Sequence, residues 1–80
     1  MHPLYRLVQR LDVGKYHYTL SRHRSDSILV IITFVGERVE VDVFDDGHME
    51  VSRFKGSEDI VGDEALIQNI IEQNEKRDGA

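Results

Sequence analysis

Apolar and polar side chains alternate most regularly between residues 28 and 54, ILVIITFVGERVEVDVFDDGHMEVSRF. Alternation with a period of two marks a strand with one buried face, and an unbroken apolar run marks a strand buried on both. Residues 28–35 form such a run, which predicts a central strand followed by two alternating ones. Gly36-Glu37 predicts a two-residue hairpin loop, with glycine where a positive φ is needed. Pairing outward from that loop sets Val35 opposite Arg38, Phe34 opposite Val39, Ile32 opposite Val41 and Val30 opposite Val43. For the next turn, a two-residue Asp46-Gly47 loop would set Asp42 against Val51 and mix the faces. A three-residue loop, Asp45-Asp46-Gly47 with Gly47 left-handed, instead pairs Val43 with Met49 and Val41 with Val51. That loop is the expectation.

The register gives the sheet two differently dressed faces. Face one carries Ile28, Val30, Ile32, Phe34, Val39, Val41, Val43, Met49 and Val51, apolar throughout and in need of cover. Face two carries an apolar band, Leu29, Ile31, Val35, Phe44 and Phe54, and an acidic group, Glu40, Asp42 and Glu50, continued by Asp45 and Asp46 in the turn. Asp42 is expected directly opposite Glu50, a like-charge pair that costs stability unless a cation or a basic partner relieves it.

Outside this stretch, residues 15–22 (KYHYTLSR) alternate and predict an earlier strand, with Tyr16, Tyr18 and Leu20 on one side and a connector over 22–27. Pro3 followed by Leu4, Leu7, Val8 and Leu11 predicts an amphipathic helix ended at Gly14. Asp63 is the N-cap expected for a helix over 64–77 with the stripe Leu66, Ile67, Ile70 and Ile71, and residues 77–80 are expected to fray. Short one-sided helices are not stable alone, so both are expected on face one. The predicted fold is a single α+β domain over 1–80, two-layered, with a four-stranded antiparallel meander in the order 1-2-3-4 and the element order α-β-β-β-β-α.

Charge changes this picture more than composition does. Residues 1–27 hold five basic residues against two acids and residues 28–80 five against thirteen, which together give the net −5 of the chain. That asymmetry suits a basic protein surface and not a nucleic-acid backbone. With no cysteine, disulfide and thiolate chemistry are excluded, and a cytoplasmic setting is the expectation. No apolar run approaches the ~20 residues of a membrane helix, and no signal peptide is read at the start.

Candidate chemistry is sparse. His17, His23 and His48 lack the spacing that sets two imidazoles side by side on one element, so no metal or other cofactor is expected. Asp45-Asp46-Gly47 lacks the ligand series of a calcium loop. Asp42 and Glu50 on a flat sheet lack the cleft that tunes an acid–base pair, and no catalytic residue or enzymatic activity is expected. One nucleic-acid-like feature exists, Lys15, Tyr16, Arg22 and Arg24, where aromatic and cationic groups share a strand. Tyr16 is as readily a core residue, and the chain as a whole is acidic.

In size, acidity and absence of catalytic motifs, the chain resembles the small inhibitor and immunity proteins of phages and mobile elements, such as anti-CRISPR, antirestriction and toxin-neutralising proteins. The resemblance is one of type and covers no aligned segment. It implies a stoichiometric inhibitor that places its acidic residues in a basic groove of a target protein. Two alternatives stand beside it: a homodimeric adaptor joined through the apolar band of face two, and a nucleic-acid module using the basic N-terminal third.

Overall fold

The computed structural model describes residues 1–55 and 58–78. The elements run α1 (Pro3–Val13), β1 (His17–Arg24), β2 (Ser27–Phe34), β3 (Glu37–Phe44), β4 (Met49–Lys55), β5 (Glu58–Gly62) and α2 (Glu64–Asp78). The strands form an antiparallel meander in the order β1-β2-β3-β4-β5. Helix–meander–helix is thus the architecture expected, with one strand more than the four predicted. Glu58–Gly62 pairs with β4, setting Ile60 opposite Arg53 and Val61 opposite Ser52. Five residues that open with two acids give no alternating signal, so this strand is held by its ladder and not by its pattern. The predicted frayed tail, 77–80, runs outside the described residues from position 79.

The β3–β4 hairpin has the predicted three-residue loop. Gly47 is left-handed (φ +97°), Val43 faces Met49, Asp42 faces Glu50 and Val41 faces Val51. The β2–β3 hairpin differs. Its loop is Val35-Gly36, with Gly36 at φ +78° as the second loop residue, so Phe34 faces Glu37, Ile32 faces Val39 and Val30 faces Val41. A positive φ at the second loop position is the type II arrangement, in place of the glycine-first loop expected. Moving the loop by one residue moves each partner by two, so every side chain keeps its face. β1 also begins two residues later than expected: α1 runs to Val13, and Lys15 turns the chain with a left-handed φ of 59° before the strand can start.

Both helices lie on face one. Leu7 and Leu11 of α1 and Ile67, Ile70 and Ile71 of α2 share one buried cluster with Val30, Ile32, Phe34, Val39, Val41, Val43, Met49 and Val51. The layer order is therefore helices on sheet, two layers, with face two free of helix. Ile28 alone of the predicted face-one residues is only half-buried.

Local chemistry explains the helix ends. His2 caps α1, its Nδ1 accepting from the Leu4 N–H at 3.1 Å, while its Nε2 donates to the Asp45 carbonyl at 3.1 Å and so ties the helix start to the β3–β4 turn. Asp63 caps α2, accepting from the Ala65 N–H at 3.1 Å. Arg10 joins the two helices through Gln68 and through Glu75 at 3.4 Å. Buried Asn74 is satisfied within its own helix by donating to the Ile70 carbonyl at 2.9 Å.

Candidate protein-docking face

Register places the side chains of face two in rows across the sheet. One row runs His17, Thr33, Arg38, Phe54, Asp59; the next Thr19, Ile31, Glu40, Ser52, Val61; a third Ser21, Leu29, Asp42, Glu50. β1 and β2 contribute neutral or apolar positions and β3 and β4 the acids Glu40, Asp42 and Glu50, as the sequence pattern implied. Asp59 and Val61 were not anticipated here, because they arrive on the unpredicted β5.

The apolar band is more covered than its residue types suggest. Phe44 is only 5% exposed: the His48 ring stacks on it at 4.2 Å and the Arg24 guanidinium lies 5.0 Å from its centroid. Phe54 carries the Arg38 guanidinium at 4.9 Å. Leu29 and Ile31 are half-buried, and Val35 stands 78% exposed at the hairpin tip. Long polar side chains thus fold over both rings, which is how arginine stems and guanidinium planes shield apolar surface. Leu29, Ile31, Phe44 and Phe54 lie on face two, whereas Val35, expected opposite Arg38, sits in the hairpin loop outside the strands, so the five do not form one continuous apolar surface.

Each acid has a distinct environment. Glu40 is paired with Arg38 at 3.3 Å. Asp42 accepts from the Ser27 hydroxyl at 3.3 Å and faces Glu50. Asp46 accepts from the His48 backbone N–H at 3.0 Å and meets its Nδ1 at 2.5 Å. These hydrogen bonds, the backbone one first, hold the Asp46 carboxyl below the usual aspartate value. The ionised form is therefore favoured by folding, a contribution present above the ordinary aspartate pKa and lost as pH falls through the lowered one. Glu50 lies 3.9 Å from His48 Nε2 and is otherwise exposed. Asp45 is exposed, and its backbone N–H donates to the Asp26 carbonyl at 2.9 Å.

Arg53 does not face this patch. It points to face one and makes a bidentate pair with Glu37, Nε to Oε2 at 2.5 Å and Nη2 to Oε1 at 3.2 Å, with the two side chains 16% and 6% exposed. The acids of face two are thus relieved only by Arg38 and His48 among the described side chains that pair with them.

The four residues of the nucleic-acid alternative are scattered. Tyr16 packs edge-on against Phe34 at 5.1 Å and joins the core. Arg22 is turned back on the Ser25 carbonyl at 2.6 Å, and Arg24 forks onto Asp26 at 3.1 and 3.2 Å. Lys15 lies before the opposite end of β1, and His17 to Arg24 alone spans roughly 23 Å at strand rise. The histidines are equally dispersed, His17 at the start of β1, His23 on the Ser21 hydroxyl and His48 at the far hairpin. Among the described residues no group of three or more His, Asp or Glu could hold a metal ion. A cleft of about 260 Å³ opens between the start of α1 and the β1–β2 turn, floored by Leu4, Ile28 and Val43. It is smaller than the ~300–1,000 Å³ usual for small-molecule sites. Among the described residues no helix is long and apolar enough to cross a membrane.

Comparison with protein-family models, with curated proteins and with solved structures finds no match to this chain.

Proposed function

We propose that the chain is a non-enzymatic protein-binding module that docks the helix-free face of its sheet, acidic half foremost, on a basic surface of another protein. The observation that carries this reading is the Asp42–Glu50 pair. Two carboxylates stand directly opposite each other on a face that no helix covers, and Arg53, the cation nearest in sequence, is committed elsewhere. A like-charge cross-strand pair weakens a hairpin, and a basic partner turns that cost into attraction. Inhibition follows naturally: occupying a basic groove blocks whatever polyanion the target binds there, as expected of a stoichiometric inhibitor of the phage or mobile-element type working in the cytoplasm.

The test is affinity capture with three versions of the full chain: wild type, Asp45→Lys combined with Glu50→Lys, and exposed Glu72→Lys on α2 as a control. The expected result is a basic protein retained by wild type and by the control at low salt, released as salt rises, and lost with the double variant. Glu50→Lys removes the repulsion with Asp42, so it should leave the fold intact. Retention of the same partner by the double variant would overturn the reading.

A further inference from the structure

The two edges of the sheet are unlike. β5 is five residues long and opens with Glu58 and Asp59, both features that keep an edge strand from pairing with another chain. β1 has no such protection along its first part. His17 to Ser21 runs in continuous register on β2, with the irregularity falling only between Ser21 and Arg24. This segment, HYTLS, holds no lysine, proline or acid. Among the described residues no strand lies on its outer side.

Leu20 adds a second observation. It faces Val30 and so points to the core side of the sheet, yet it is 53% exposed. The path of α1 explains why. The helix starts at the β3–β4 turn, where His2 meets Asp45, and ends beside Tyr18, whose hydroxyl donates to Asp12 at 2.5 Å. It thereby crosses the sheet diagonally and leaves the Leu20 corner of β1 uncovered.

We propose that β1 pairs antiparallel with β1 of a second copy of this chain, joining two five-stranded sheets into one across a two-fold axis at Thr19. The turn at Lys15 and the irregularity after Ser21 limit the regular segment to five residues. Full overlap of two such segments allows a single antiparallel register. It sets His17 opposite the partner's Ser21, Thr19 opposite the partner's Thr19, and Leu20 opposite the partner's Tyr18. The exposed leucine then meets an aromatic ring on both sides of the axis, and two threonines meet at the centre, both favourable cross-strand combinations. The same patch serves both subunits, so the assembly closes as a dimer. This inference stands apart from the docking reading above, because face two and the β1 edge are different surfaces.

Sedimentation of the full chain from micromolar to millimolar concentration tests it. Wild type is expected to show a monomer–dimer equilibrium that added salt does not weaken, since the two copies carry the same net charge and Arg22 of each flanks the axis. Thr19 is exposed, so Thr19→Lys and Thr19→Glu leave the monomer folded. Each places like charges face to face at the axis and should weaken association by roughly three- to fivefold. Mixing the two variants should restore a dimer, now mixed. A monomeric wild type at millimolar concentration would overturn the proposal. So would undiminished association of either variant alone, or a mixture that stays monomeric.

Discussion

Glu37 and Arg53 show how a single pair sets what the rest of a face can do. Arg53 occupies a core-side position of β4, where its guanidinium would be buried without a counter-charge, and Glu37 supplies both oxygens from the start of β3. Breaking a buried pair leaves an uncompensated charge, which costs more than the pair contributes as a unit. Glu37→Ala is therefore expected to destabilise the fold by about 2–3 kcal/mol. Replacing both residues with apolar ones of similar volume should recover most of that loss, as read by urea unfolding. Equal destabilisation by the single and double changes would show that the charge is not the cause. Parity already separates the two arginines, Arg53 falling with Val51 on face one and Arg38 with Glu40 on face two. It does not give Arg53 its partner, because Glu37 was expected in the hairpin loop and joins β3 only in the observed register.

At the level of elements, what was legible and what was not have a common reason. The alternation of residues 38–44 and 48–54 names the buried set, because parity alone assigns a side chain to a face. Parity cannot tell a Gly36-Glu37 loop from Val35-Gly36, since the two registers differ by two residues and bury the same side chains. The β3–β4 loop was readable because its alternatives differ by one residue and only one keeps the faces apart. β5 has too few apolar positions to announce itself, and with it Asp59 and Val61 of the candidate face were missed.

The two hairpin glycines make a paired prediction. Both have positive φ, which costs any other residue roughly 1 kcal/mol. A Cβ on Gly36 would meet nothing within 4 Å, whereas one on Gly47 would lie 3.1 Å from Pro3 Cγ. Gly47→Ala should thus lower the melting temperature more than Gly36→Ala, the difference reporting the packing of α1 on the β3–β4 turn.

For the whole molecule, the decisive fact is that both helices share one side of the sheet. Two one-sided helices and one wholly apolar face predict that arrangement, although strand 28–35, apolar on both sides, would also accept a helix on the second face. With both helices on face one, the sheet presents outward a surface whose rings are shielded by Arg24, Arg38 and His48 and whose acids stand beside half-buried Leu29 and Ile31 and exposed Val61. Such a surface favours fast, salt-sensitive docking over a dry symmetric contact. It also places the proposed self-association on the β1 edge and not on the face.

The central claim is that partner contact falls on face two. Amide chemical-shift mapping of the isotope-labelled chain with its captured partner tests it most directly. Perturbation concentrated on Glu40, Asp42, Asp46, Glu50 and their neighbours in β3 and β4, with α2 unmoved, is the predicted result. Perturbation concentrated on α1 and α2, with those strands unchanged, would contradict it.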